Sequence, residues 1–142
     1  IKCVCGRYDC VENISSGSGI DHCARILCKD HPTSLHIPAE DEGRVNVQDV
    51  FRLCQEGDPL CKVLTDNAAQ GIANLIMNLV RVTDPDTVVL GGGIVADEYM
   101  FESILKRLHP ATMRFVSNGV VLTKLNPEFI GLLGACAVAM NM

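Results

Sequence analysis

The sequence lacks three features that define other classes of protein. It has no basic excess, because 12 Lys and Arg stand against 17 Asp and Glu, and the net charge of −5 argues against a nucleic-acid-binding surface. It has no apolar run near the roughly 18 residues of a membrane span. It also has no charged-then-apolar signal pattern at its start. These absences predict a soluble globular protein without membrane or nucleic-acid partners.

The chain does contain enough apolar residues for one sizeable core. Its 142 residues correspond to one domain, and 48% of them are hydrophobic. Apolar spacing predicts an interrupted helix over 11–28, followed by a surface loop over 29–46. A helix capped by Asn46 and a long helix opened by Asp58 and Pro59 come next.

The second half predicts alternating strands and helices. Residues 87–90 form an uninterrupted apolar run, which is typical of a strand covered on both faces. A helix over 97–108, weaker strands near 113–115 and 120–124, and an apolar helix over 130–140 follow. This order predicts an α/β fold.

Three cysteines at the start of the chain, Cys3, Cys5 and Cys10, suggest a metal site. A tight loop can direct three sulfurs at one ion, and structural zinc takes tetrahedral thiolate ligands. A closed site needs a fourth ligand, either from elsewhere in the fold or from residues preceding Ile1. The other five cysteines fall mostly on apolar helical faces, which favours reduced thiols, and so a cytoplasmic location, over the alternative of a disulfide framework.

Glycines follow the predicted strand at Gly91, Gly92 and Gly93. Backbone without side chains can approach a ligand closely, and ligands of open α/β sheets lie beyond the carboxyl ends of strands. A nearby helix N-terminus would offer free N–H groups to an anion. A sharp turn without a ligand is the alternative. For Gly131 and Gly134, on the last helix, close helix packing is favoured over nucleotide contact.

Four motifs together carry a resemblance to a known family. They are Cys3-x-Cys5-Gly6-x-x-x-Cys10-x-Glu12, Ser16-Gly17, Asp84-Pro85-x-x-Val88-Val89-Leu90-Gly91-Gly92-Gly93 and Gly131-Leu132-Leu133-Gly134-Ala135. In order and spacing the chain resembles the ROK family of bacterial sugar kinases and related repressors. The resemblance implies the C-terminal half of an actin-like (ribonuclease H-like) ATPase fold, with a zinc-binding loop over 1–12 and a kinase subdomain over 13–142.

The resemblance also implies roles for individual residues. Cys3, Cys5 and Cys10 would be three ligands of a structural zinc, whose fourth ligand in the family is a histidine upstream of the motif. None of the four histidines here occupies that place: His22, His31, His36 and His109. Glu12 would accept a hydrogen bond from a sugar hydroxyl, with a solvent-facing helix glutamate as the alternative. The three glycines would meet the nucleotide.

One departure from the family pattern concerns Asp9, which stands where the family usually has glycine. Aspartate tolerates a left-handed backbone better than most residues, so the loop is expected to form.

The implied activity is phosphorylation of a hexose or N-acetylhexosamine by ATP with Mg²⁺, in a homodimer. The family's phosphate loop and catalytic aspartate are absent from this sequence, so the chain alone is expected to be inactive. The alternatives are a sugar-sensing repressor of the same family and a free-standing zinc-binding interaction module. The three glycines favour the kinase, since such repressors often lose them and an interaction module would leave them without a role.

Overall fold

The computed structural model describes residues 1–126 and 129–140. Its elements in chain order are α1 (Glu12–Ser15), α2 (Gly17–Leu27), α3 (Val47–Gln55), α4 (Pro59–Thr83), β1 (Val88–Leu90), α5 (Glu98–Leu105), α6 (Pro110–Met113), β2 (Val120–Leu122) and α7 (Ile130–Ala139). Within these ranges no helix is both long enough and apolar enough to cross a membrane.

The long helix α4 is the centre of the core. Its buried side chains face α1, α2, α3, α5 and α6, which pack around it. The core includes the fully buried side chains Ile20, Val50, Phe51, Leu60, Cys61, Met100 and Ile104. An ion pair between Arg107 and Asp66 joins the segment after α5 to α4. Burial of apolar side chains on α2, α3, α4 and α5 therefore holds the unit together.

Helix starts follow the capping residues that the sequence predicts. The Asn46 side chain accepts a hydrogen bond from the Gln48 N–H at 2.9 Å, and α3 begins there. The Asp58 side chain accepts from the Cys61 N–H at 3.0 Å, and Pro59 opens α4. Side-chain oxygens at these positions satisfy N–H groups that the first helical turn leaves free.

The sheet consists of two parallel strands within the described residues. Val88 pairs with Val120 and Leu90 with Leu122, and these four side chains pack against the helical core. Val89, in contrast, is 60% exposed. The prediction of a strand covered on both faces is therefore wrong for this chain, since only one face of β1 is packed.

The predicted strand near 113–115 is also wrong. Pro110 opens the short helix α6 instead, and the N–H groups of Thr112 and Met113 both bond to the His109 carbonyl. Proline presets the backbone angle of a first helical residue, and this local preference outweighs the β propensity of the few residues that follow.

Helix α7 is apolar throughout, yet it has no buried residue among those described. Its first residue, Ile130, lies beside the glycine turn: a Cβ added at Gly91 would be 3.4 Å from the Ile130 Cδ1. An added Cβ at Gly131 or Gly134 would meet no atom of the described residues within 4 Å. The close helix packing predicted at these two glycines is not found in the described part of the chain.

Candidate functional site

The three N-terminal thiols lie together in a compact loop. The sulfurs of Cys3, Cys5 and Cys10 are all within 4.8 Å of one another, and those of Cys5 and Cys10 are 3.6 Å apart. The Cys3 N–H bonds to the Arg7 carbonyl at 2.7 Å, and the Gly6 N–H bonds to the Cys3 carbonyl at 2.9 Å. These short-range bonds fold the loop so that three sulfurs point to one place.

Two residues of the loop have a left-handed backbone conformation, which allows the chain to turn tightly. Gly6 has φ +86° and Asp9 has φ 56°. The aspartate that replaces the family's usual glycine therefore takes the left-handed backbone that the sequence analysis anticipated. The loop closes with an isolated antiparallel bridge between Lys2 and Tyr8.

The pKa values of Cys5 and Cys10 shift in opposite directions because the two thiols have different hydrogen-bond partners. Hydrogen bonds from the Arg7 backbone and side chain lower the pKa of Cys5 to about 7. The hydrogen bond between Cys10 and Cys5, together with burial, raises the pKa of Cys10 to about 11. A bound cation would remove this competition, because metal coordination favours the thiolate form.

The three thiols are a ligand type that structural zinc prefers, but they are one ligand short of a tetrahedral site. Across residues 1–126 and 129–140 no His, Asp or Glu joins the three sulfurs. All eight cysteines, which lie in those ranges, are free thiols, so the alternative of a disulfide framework is not realised. A tetrahedral structural site would take its fourth ligand from outside this cluster.

Glu12 begins α1 two residues after Cys10. Its carboxylate is exposed and has no hydrogen-bond or ion-pair partner in the part of the chain that the structure describes. Glu12 contributes to a cleft of about 200 Å³ that is lined by Ile1, Lys2, Val4, Glu12, Asn13, Ser18, Gly19 and His22. A free carboxylate at a cleft is able to accept hydrogen bonds from a polar ligand.

Ser18 and His22 are members of this cleft that the sequence analysis did not single out. They lie four residues apart on α2, and helical spacing places such residues on one face. The four-residue spacing indicates that Ser18 and His22 share a helical face. It does not indicate that this face borders the Glu12 cleft.

A close backbone contact holds α1 against α2. A Cβ added at the buried Gly19 would lie 2.4 Å from the Glu12 carbonyl oxygen. The Ser16 hydroxyl donates to that same carbonyl at 2.7 Å and accepts from the Gly19 N–H at 3.0 Å. The position of Glu12 therefore depends on Ser16 and Gly19.

The glycine turn borders a different cleft, at the carboxyl end of β1. This cleft has a volume of about 180 Å³ and is lined by Leu90, Gly91, Gly92, Val95, Ala96, Leu122, Thr123 and Leu125. Gly92 has φ +114°, a conformation that favours glycine. Among the described residues, none lines both this cleft and the Glu12 cleft.

The helix that follows the glycines is poorly suited to bind an anion. A turn closed by the Ala96 N–H and the Gly92 carbonyl separates the glycines from α5. The Asp97 side chain already accepts from the Met100 N–H, and Glu98 adds a second carboxylate to the first turn of α5. These acids neutralise the positive end of the helix. Any phosphate contact here would come from the glycine backbone.

The chain is similar in sequence and in fold to known proteins of one family. The model of the ROK family matches residues 1–142. A glucokinase from Thermotoga maritima is 25% identical over 139 residues, which are 96% of this chain and 44% of that protein. The crystal structure of a ROK hexokinase from Thermus thermophilus is 28% identical with a TM-score of 0.65, covering 95% of this chain and 41% of that one.

Two further structures share the fold at lower identity. A ROK family glucokinase from Streptomyces griseus, in complex with glucose and AMPPNP, has a TM-score of 0.66 at 19% identity and covers 100% of this chain and 48% of that one. A ROK family transcriptional regulator, described as a homolog of the E. coli MLC protein, has a TM-score of 0.61 at 18% identity, covering 89% and 32%. The predicted α/β kinase-type fold is confirmed, and the chain spans less than half the length of these relatives.

Proposed function

This chain belongs to the ROK family, and from that membership we propose that it is the C-terminal part of an ATP-dependent sugar kinase. The proposed substrate is a hexose or an N-acetylhexosamine. Relatives named glucokinase and N-acetylmannosamine kinase align with nearly all of this chain but with 44% and 42% of their own lengths. The proposed division is a zinc-binding loop over 1–12 and a kinase subdomain over 13–142.

Family membership supports the kinase activity, and the structural observation that supports sugar binding is the Glu12 carboxylate, which has no partner among the described residues and follows the cysteine loop. Carboxylates accept strong hydrogen bonds from hydroxyl groups, and a sugar offers several on neighbouring carbons. Glu12 follows Cys10 by two residues, so a cysteine loop held by a metal would restrict the position of the start of α1. We assign Glu12 the role of a sugar-binding residue.

Cys3, Cys5 and Cys10 are the proposed ligands of a structural zinc. The ion would supply charge that keeps all three thiols deprotonated and would hold the loop in one conformation. Cys3 is buried, while Cys5 is exposed and Cys10 is half-buried, so one ligand of the proposed site would be shielded from water.

Gly91, Gly92 and Gly93 are the proposed contacts to the nucleotide, which would be ATP with Mg²⁺. Their support is the open backbone at the carboxyl end of β1, where ligands of α/β sheets bind. Phosphoryl transfer depends chiefly on positioning and charge stabilisation. The phosphate loop and the aspartate base would belong to residues outside this sequence, so the isolated chain is proposed to be inactive. A homodimer in the cytoplasm remains a prediction.

A sugar-sensing repressor of the same family is the alternative. The fold likeness to a ROK transcriptional regulator keeps it open. The three consecutive glycines favour the kinase, because a repressor that senses sugar has no need of a turn open to a nucleotide.

The test is a kinetic comparison in the full-length protein. Glu12→Gln removes the charge and keeps the size, and it is expected to weaken sugar binding by about 10- to 100-fold, the value of one charge-assisted hydrogen bond. The KM for ATP should stay near normal. Glu40→Gln, at an exposed loop glutamate, is the matched control. An unchanged sugar KM and kcat in Glu12→Gln would remove Glu12 from the site.

A further inference from the structure

A cleft of about 570 Å³ lies apart from both candidate sites. It is lined by Val80, Arg81, Asp84, His109, Ala111, Thr112, Arg114 and Phe115. Asp84 precedes β1 and Phe115 precedes β2, and the strands are parallel. The cleft therefore opens at the amino ends of the strands, whereas the glycine turn lies at their carboxyl ends.

Two arginines in this cleft are held in place by neutral groups. Arg81 donates from Nη2 to the Thr112 hydroxyl at 3.2 Å. Arg114 donates from Nη1 to the Ala111 carbonyl at 2.7 Å, and its guanidinium carbon lies 4.5 Å from the centre of the Phe115 ring. These contacts orient both guanidinium groups and leave most of their N–H donors unused.

Neither arginine has a carboxylate partner in the described residues. By contrast Arg25, Arg52 and Arg107 each form an ion pair with a nearby acid. A guanidinium group with free donors is suited to recognise a phosphate group, because its planar fork matches two oxygens of the anion. His109 adds a further possible donor from the same lining.

The Asp84 carboxylate restricts which kind of phosphate-containing ligand this cleft could bind. Its backbone is left-handed, with φ 44°, and its N–H bonds to the Val80 carbonyl at 2.9 Å. The carboxylate has no ion-pair partner among the residues in the described ranges and lines the same cleft as the arginines. A carboxylate repels a bare phosphate ion but accepts hydrogen bonds from hydroxyl groups.

The combined lining has donors for a phosphate, an acceptor for hydroxyls and an aromatic edge for C–H groups. We propose that this cleft binds a phosphate monoester that also carries hydroxyl groups, the chemical class of sugar phosphates. Because the chain has a net charge of −5, such binding would reflect local arrangement and not general attraction of anions. The proposal does not depend on the sugar kinase assignment, since the cleft shares no residue with the Glu12 cleft.

The test is calorimetric titration of this chain at low ionic strength, where surface electrostatics are least screened. The probes are glucose 6-phosphate, inorganic phosphate and glucose. Glucose 6-phosphate is expected to bind with at least 10-fold higher affinity than either of the others. Arg81→Gln and Arg114→Gln should each weaken its binding about 10-fold, the value of a charge-assisted hydrogen bond.

Two variants complete the design. Arg44→Gln removes an exposed arginine outside the cleft and should leave affinity unchanged. Asp84→Asn keeps a residue that tolerates the left-handed backbone and should reduce the preference for glucose 6-phosphate over inorganic phosphate. Melting temperatures of the variants establish that each is folded.

Three results would overturn the proposal. The first is the absence of saturable binding of glucose 6-phosphate. The second is an equal loss in Arg44→Gln, which would indicate general charge attraction. The third is loss of binding in Glu12→Gln with none in Arg81→Gln, which would place the ligand in the Glu12 cleft.

Discussion

The Ser16 hydroxyl donates a hydrogen bond to the Glu12 carbonyl across 2.7 Å and thereby joins α1 to α2. The same oxygen caps α2 by accepting from the Gly19 N–H at 3.0 Å. One side chain thus ends one helix and begins the next. The start of α1, which carries the proposed sugar-binding carboxylate, is fixed by the cap of its neighbour.

Replacing Ser16 is therefore expected to act on both helices. Ser16→Ala should lower the free energy of unfolding by about 1 kcal/mol, the usual cost of losing an N-cap side chain. Urea denaturation measures the change. Ser18→Ala is the matched control, because the exposed Ser18 hydroxyl contacts only that of Ser16 among the residues described. Equal effects of the two substitutions would contradict the capping role.

Substitutions at Gly92 and Gly93 are expected to affect stability differently, so they can distinguish a structural role of the glycine turn from a role in nucleotide binding. Gly92→Ala forces a side chain into a left-handed conformation and should destabilise the fold by roughly 1–2 kcal/mol. Gly93→Ala meets nothing within 4 Å and has no such strain, so its melting temperature should match that of the wild type.

In the full-length protein Gly93→Ala should nevertheless raise the KM for ATP, because Gly93 is a proposed nucleotide contact and the added methyl group would hinder close approach to its backbone. The sugar KM is the internal control. A Gly93→Ala enzyme with an unaltered ATP KM would leave the glycines with a purely structural role.

The zinc content of the purified chain tests whether the three thiols alone are sufficient to hold the ion. After reduction, zinc loading and dialysis, this chain should retain well below one zinc per molecule, because three thiolates leave a tetrahedral site open. Cys5→Ser should lower the content further, while Cys136→Ser, at an exposed thiol on α7, should not. Atomic absorption measures both. Full occupancy in the unaltered chain would mean that a further residue or water completes the shell.

Acid sensitivity is expected from Asp58. Burial raises the pKa of this carboxyl, but hydrogen bonds from the N–H groups of Cys61 and Ser34 and from the Thr33 hydroxyl outweigh it, so the pKa lies below its usual value. A depressed pKa means that the native state holds the charged form more strongly than the unfolded chain does. The resulting stability is present above the unfolded pKa of about 3.9 and is lost as the pH falls through the lower native value.

Urea unfolding between pH 6 and pH 2 measures this contribution. Asp58→Asn should lower stability at pH 6 and flatten the decline on acidification. Asp41→Asn, in an exposed loop, should leave the profile unchanged. A decline that is as steep in Asp58→Asn as in the unaltered chain would assign the acid sensitivity to other carboxylates.

Local features of this protein followed from the sequence where short-range chemistry governs them. The Asn46 and Asp58 caps, the start of α4 at Pro59 and the clustering of Cys3, Cys5 and Cys10 depend on neighbours within a few residues. The strand predicted near 113–115 is wrong because Pro110 and the His109 carbonyl start a helix at this point.

Long-range features could not be obtained in this way. Val89 is exposed on one face of β1, and this exposure depends on which elements cover the sheet. A run of apolar residues does not show whether one or both faces of a strand are covered. The α1–α2 contact at Gly19 depends on the angle between two helices. Glycine at that position is recognisable as necessary only when the Glu12 carbonyl is known to lie above it.

By itself the sequence determined the thiol loop, the helix caps and the family to which the chain belongs, since each rests on residues close together along the backbone. Only the tertiary structure placed Arg81 beside Thr112, 31 positions away, and left Glu12, among the residues described, without a partner at the edge of a cleft. The reason is physical. Packing around α4 decides which distant side chains meet, and no spacing along one segment encodes the orientation of another.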